Sequence, residues 1–110
     1  MAVDPDLVDR MEAALIARGA RPLRRKMFGG IALMVNGHMS YGTSGEVMHV
    51  RAGPERHGEA LARPGAREMD FTGRPMKGWV SVDAPSDLSE DEIGGWAELT
   101  LAFNRTLPPK

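Results

Sequence analysis

The densest concentration of chemically capable side chains is basic. Arg18, Arg21, Arg24, Arg25 and Lys26 fall within nine residues that contain no acid. Guanidinium and ammonium groups in such a cluster suit an anionic or protein partner. The plainer reading is a solvated loop. Phe28, Gly29 and Gly30 follow at once. Phe28 is the aromatic side chain nearest the cluster, which makes a thin platform for stacking bases. The Gly-Gly pair reads as a bulge or a close backbone approach. Arg21, Arg24, Arg25, Lys26, Phe28, Gly29 and Gly30 are the candidate partner-binding residues. An opposite stretch, Asp83 to Glu92, carries five acids and no base, which fits a helix N-terminus.

Catalytic and metal chemistry find little support. The histidines are His38, His49 and His57, with no H-x-x-x-H pair and no carboxylate spaced to complete a metal site. There are no cysteines, so a disulfide scaffold, a thiolate site and a cysteine nucleophile all fall away. None of Ser40, Ser44, Ser81, Ser86 and Ser89 lies in a Gly-x-Ser-x-Gly elbow. Gly29-Gly30 is not followed by the Lys-Ser/Thr of a phosphate loop, and no dinucleotide fingerprint is present. The expectation is a non-enzymatic domain with no catalytic residue, no metal and no cofactor.

The elements that would position these residues begin with a helix over 5–18, opened by Asp4-Pro5 and closed by Gly19. A basic loop then leads into the apolar run 26–35. Asn36-Gly37 has the composition of a type I′ hairpin turn. Strands at 38–43 and 46–51 follow, joined at Ser44-Gly45. A short helix is expected over 54–61. Two more strands are expected at 66–72 and 76–83, linked by Thr72-Gly73-Arg74-Pro75. Ser89 and Glu92 make a capping box for the last helix, with Leu88 and Ile93 at the staple positions. Gly94-Gly95 inside that helix costs about 1 kcal/mol per glycine against alanine. Close packing of backbone on the sheet is the expected reason.

Two-residue turns fix the register and sort the side chains. One face then carries Ala32, Met34, Met39, Tyr41, Met48 and Val50, a core face awaiting helices. The other carries Ile31, Leu33, Val35 and Val47 beside His38, Ser40, His49 and Arg51. Ile31, Leu33, Val35, His38, His49 and Arg51 are therefore a candidate dimer or ligand face. The methionines near the strands read as core filling or as an adaptable contact surface.

A length of 110 residues allows one domain, 1–110. The net charge of −1 argues against a whole surface built for nucleic acid. No segment approaches a membrane span, and the N-terminus lacks a secretory h-region, so no membrane association and a cytoplasmic location are expected. The fold class expected is α+β, α-β(3)-α-β(2)-α, an antiparallel sheet with helices on one face.

Arg25-Lys-Met-Phe-Gly-Gly-Ile-Ala-Leu-Met-Val-Asn-Gly-His-Met39 resembles the N-terminal domain of the TfoX/Sxy competence regulators. Glu46-Val-Met-His-Val-Arg51, Met69-Asp-Phe71, Met76-Lys-Gly-Trp79 and the stretch from Trp96 are similar to its later elements. The resemblance covers roughly 22–104 and implies a secretion-chaperone-like α+β fold. It also implies transcriptional co-regulation alongside the cyclic-AMP receptor protein, here by a stand-alone domain without the family's second, C-terminal domain. The expected function is a regulatory or adaptor domain, a homodimer with a protein partner in transcription, or DNA. The alternatives are a small-molecule domain or enzyme with a pocket on the mixed face, and a chaperone-like protein binder.

Overall fold

Asp4 starts the first helix by accepting from the backbone N–H groups of Asp6 and Leu7 at 3.0 and 3.3 Å. This satisfies two of the donors that every helix N-terminus leaves open. The helix, α1 (Pro5–Ile16), buries Leu7, Val8, Met11 and Leu15 on one face. Gly19, at φ +86°, ends it in a Schellman turn: Ala20 N–H donates to Leu15 O and Gly19 N–H to Ile16 O. The computed structural model describes residues 3–27, 29–44, 46–69 and 77–109. Its remaining elements are β1 (Leu23–Met27), β2 (Gly30–Val35), β3 (His38–Ser44), β4 (Val47–Arg51), α2 (His57–Leu61), β5 (Ala66–Glu68), β6 (Trp79–Asp83), a 3-10 turn (Pro85–Asp87) and α3 (Glu90–Asn104).

The six strands form one antiparallel sheet in the order β1-β2-β3-β4-β6-β5. The α+β class expected from the sequence is the one present, with one strand more than expected. The stretch read as a basic loop is β1, and the strand read from residue 26 is two strands. The chain reverses between Met27 and Gly30, where Gly29 adopts φ +73°. A side chain at Gly30 would collide with the backbone, its Cβ only 2.0 Å from Thr43 O. The expected strands at 66–72 and 76–83 are observed over Ala66–Glu68 and Trp79–Asp83. Residues 70–76, including the expected turn, lie outside the described residues, as does Gly45.

The expected sorting of faces needs one correction. Leu33 pairs with Tyr41 but Met34 pairs with Met39, so Ser40 is an extra residue in β3. This bulge rotates one part of β2 relative to the rest of the sheet. Leu33 and Val35 consequently join Tyr41, Met48 and Val50 in the core, while Met34 and Met39 fall on the outer face, half-buried. Leu33 and Val35 are 1% and 4% exposed and are not part of a dimer or ligand face; Ile31 turns to the helix side with them, and Ala32 to the outer side with Met34. Side chains secure the bulge: Ser40 Oγ donates to Leu33 O at 2.7 Å, and Ser40 O accepts from Thr100 Oγ1 of α3 at 2.8 Å. The β3–β4 turn is also displaced. Ser44 pairs with Val47, which moves the register by an even step and leaves the faces of β4 unchanged.

All three helices contribute to one core cluster with the sheet. Each fully buried Leu, Val or Met there contributes about 1.5–3 kcal/mol. Tyr41 is buried at its centre and donates its hydroxyl to Met11 O at 2.5 Å, tying β3 to α1. Burial pushes the Tyr41 hydroxyl to a higher pKa, so it stays a donor. α3 carries the expected capping box: Ser89 N–H donates to Glu92 Oε1 at 2.9 Å, and Glu92 N–H to Ser89 Oγ at 3.1 Å. Near its end Asn104 Nδ2 donates to Val35 O at 3.0 Å, tying α3 to the end of β2.

Candidate functional site

β1 is an edge strand, and all five of its residues are exposed. An edge presents unpaired backbone groups to solvent, and charged side chains there limit indiscriminate pairing. Side chains alternate between the two faces. Arg24 and Lys26 share the helix side with their partners Leu33 and Ile31. Leu23, Arg25 and Met27 emerge on the other side.

The positive charge of this strand is divided. Arg24 reaches back to α1, with Nη2 2.7 Å from Asp9 Oδ1 and 3.0 Å from Glu12 Oε1. Its Nε adds a bond to Glu12 Oε2 at 3.2 Å. The hydrogen bonds to Glu12 and then Asp9 raise the already high pKa of Arg24. Arg24 is thus committed to an internal ion pair. Arg21, Arg25 and Lys26 are exposed and have no carboxylate partner among the described residues. Lys26, Gly29, Gly30 and Ile31 line one shallow hollow with Met27 and Val3. Phe28 lies outside the described residues.

The outer sheet face is apolar beside this edge. Leu23, Met34 and Met39 form one cross-strand row. Leu23 is 73% exposed and Met27 36%. The next row runs Arg25, Ala32, Gly42, His49, Ser81 and Arg67. The small side chains of Ala32 and the missing one of Gly42 leave space that the Met39 side chain enters. His49 Nε2 lies 2.9 Å from Ser44 Oγ, and its Nδ1 lies 3.1 Å from Ser81 Oγ. Burial first, and the Arg67 charge second, depress its pKa below the ordinary histidine range.

The other predicted residues are dispersed. His38 Nε2 meets Pro108 O at 2.7 Å, so it anchors the chain beyond α3. Arg51 stacks on Trp79 and Phe103, 5.6 and 5.2 Å from the ring centres. His57 is a clasp: Gly78 N–H donates to its Nδ1 at 2.8 Å, and Nε2 lies 2.7 Å from Glu68 Oε1. Among the described residues no three His, Asp or Glu side chains converge as metal ligands. No described helix is long and apolar enough to cross a membrane.

The arrangement is a basic edge strand beside an apolar outer row. A family model of the TfoX N-terminal domain matches residues 10–104. The chain belongs to the TfoX N-terminal domain family. No curated protein and no solved structure matches the chain. In this TfoX N-terminal domain Met27 ends β1 and Gly30 opens β2.

The sequence reading missed the arginines that gather along α3, namely Arg56, Arg63 and Arg105 beside Arg18. Its one available signal was Gly94-Gly95. A Cβ at Gly94 would meet Arg18 Nη2 at 2.5 Å, and one at Gly95 would meet Arg63 Nη1 at 3.5 Å. Gly94 thus makes room for the Arg18 guanidinium rather than for the sheet, while a Cβ at Gly95 would meet Arg63 only in ordinary contact.

Proposed function

We propose that the chain is a non-enzymatic regulatory domain of the competence-regulator type, acting in the cytoplasm as an adaptor in transcription. It docks a protein partner at β1. The observation that supports this most is the exposed edge strand, with Arg25 flanked by Leu23 and Met27 on its outer side. Open backbone groups supply affinity in such strand addition, while alternate side chains supply selectivity. The outer row of Leu23, Met34 and Met39 is the proposed homodimer contact, taking the place of Leu33 and Val35.

Titration of the chain with the cyclic-AMP receptor protein and with duplex DNA, at low and moderate salt, tests the adaptor reading. The expected result is protein binding that weakens about tenfold or more in Leu23→Asp/Arg25→Glu. Unchanged affinity in that variant would remove β1 from the interface. Salt-sensitive DNA binding without protein binding would replace the adaptor by a direct DNA contact. Sedimentation of the wild type and of the same variant reads the dimer: a wild-type monomer at about 50 μM refutes the outer-row contact.

A further inference from the structure

Four arginines enclose a groove beside α3, between the C-terminal end of α1 and the segment around α2. Its volume is about 370 Å³, within the roughly 300–1,000 Å³ typical of small-ligand sites. Arg18 holds Glu98 through Nε and Nη2 at 3.3 and 3.0 Å. Arg63 lies over the Trp96 ring, 4.8 Å from its centre, with Glu59 Oε2 3.7 Å from Nη2. Arg105 donates to the Arg18 carbonyl at 3.4 Å. Arg56 and Arg105 have no carboxylate partner among the described residues. Four guanidinium groups therefore face two carboxylates, leaving a surplus of two positive charges.

The helix is shaped to hold these groups. Gly94 and Gly95 sit in the interior of α3, where glycine weakens a helix. The missing side chain at Gly94 is the space in which the Arg18 guanidinium lies. Trp96 fixes the plane of Arg63 by cation–π stacking, so less freedom is lost when Arg63 takes a ligand. The planar fork of a guanidinium pairs with phosphate oxygens two at a time.

We propose that this groove binds a small phosphate-bearing anion, with Arg56 and Arg105 taking its oxygens beside the stacked Arg63. The site is separate from the β1 surface and does not depend on it. The surplus of positive charge suits a compact, multiply charged phosphate, and a concave groove favours a small ligand over an extended polymer.

The probe is inorganic pyrophosphate, added to the full chain at constant ionic strength near about 0.15 M. The readout is the set of arginine Nε–Hε resonances by NMR. Saturable shifts are expected at Arg56, Arg63 and Arg105, and Arg56→Ala/Arg105→Ala is expected to weaken binding by at least about tenfold. Glu98→Gln removes the competing carboxylate and frees Arg18, so its affinity should rise severalfold, a gain that misfolding cannot mimic. Equal shifts with sodium chloride alone, or undiminished binding in the double-arginine variant, would overturn the site. Duplex DNA that displaces pyrophosphate and binds these arginines more tightly would overturn the small-ligand assignment in favour of nucleic acid.

Discussion

Replacing Gly95 by alanine should stabilise the protein, although the residue is half-buried in the middle of a packed helix. An alanine in a helix interior is favoured over glycine by about 1 kcal/mol, chiefly through the entropy of the unfolded chain. The new Cβ would have one neighbour within 4 Å, Arg63 Nη1 at 3.5 Å, which is ordinary contact. The gain should therefore appear almost whole, at about 1 kcal/mol, or about 4–8 °C in Tm for a chain of this size. Gly94→Ala gains the same helix term but places Cβ 2.5 Å from Arg18 Nη2 and 3.3 Å from its Cζ. The guanidinium must swing away, giving up Glu98 at 3.0 Å and the Ala14 carbonyl at 3.0 Å. Glu98 is largely exposed, and such a pair is worth about 0–1 kcal/mol. With the Ala14 hydrogen bond worth about a further 0.5–1.5 kcal/mol, the loss offsets or slightly exceeds the helix gain, so Gly94→Ala should lie between neutral and about 1 kcal/mol destabilised. Urea unfolding followed by tryptophan fluorescence measures both variants. Destabilisation of Gly95→Ala by 1 kcal/mol or more (about one helix-propensity step) would mean that the backbone there is closely packed, and the account of the glycine pair would fail.

Two further predictions concern the hairpin and the outer face. Gly29→Ala should cost about 1–2 kcal/mol, the penalty of a left-handed backbone with open space around it. Gly30→Ala should cost about 3 kcal/mol or more, because its Cβ meets the backbone of β3; equal thermal shifts for the two would contradict the β1–β2 geometry. His49 is held neutral by burial and by Arg67, so its pKa in the fold lies below that in the unfolded chain. The unfolded chain then takes up a proton first as pH falls below about 6.5. Stability should decline through that range and level off below the lower, folded value. His49→Gln should remove this part of the slope between about pH 7.5 and 5.5, and an unchanged slope in urea titrations would exclude His49 as its source.

Features decided by neighbours in the chain were legible in advance. Asp4, Asn36-Gly37 and the Ser89/Glu92 box act on groups within a few residues, so composition alone identifies them. The bulge at Ser40 was not, because its carbonyl is satisfied by Thr100, sixty positions away. A strict period of two therefore put Leu33 and Val35 on the wrong face. β1 was hidden for another reason: charged residues dominate a short edge strand, and such a stretch reads as loop. In the candidate site, Arg25, Lys26, Gly29 and Gly30 do gather at one end of the sheet. Arg24 is withdrawn from it by Asp9 and Glu12, which lie three apart on α1 and so face the same way. That pairing requires α1 to lie within side-chain reach of β1, which spacing alone does not show.

The division of charge within β1 bears on what this edge can bind. With Arg24 cancelled by α1, the outer side of the strand reads Leu23, Arg25, Met27: one cation between two apolar side chains. Two copies joined antiparallel edge to edge and centred on Arg25 would set Arg25 against Arg25. Like charges directly opposite one another destabilise a strand pair. A partner strand with an acid at that position, flanked by apolar residues, meets the opposite situation. The same residue that discourages self-pairing thus selects an acidic partner, one side chain both repelling a second copy and attracting the partner strand. Arg25→Ala should then weaken partner binding while increasing edge-to-edge self-association, measured by sedimentation across a concentration series. A variant that loses partner affinity with no change in mass would separate the two effects and leave the edge protected by its twist or by Lys26 instead.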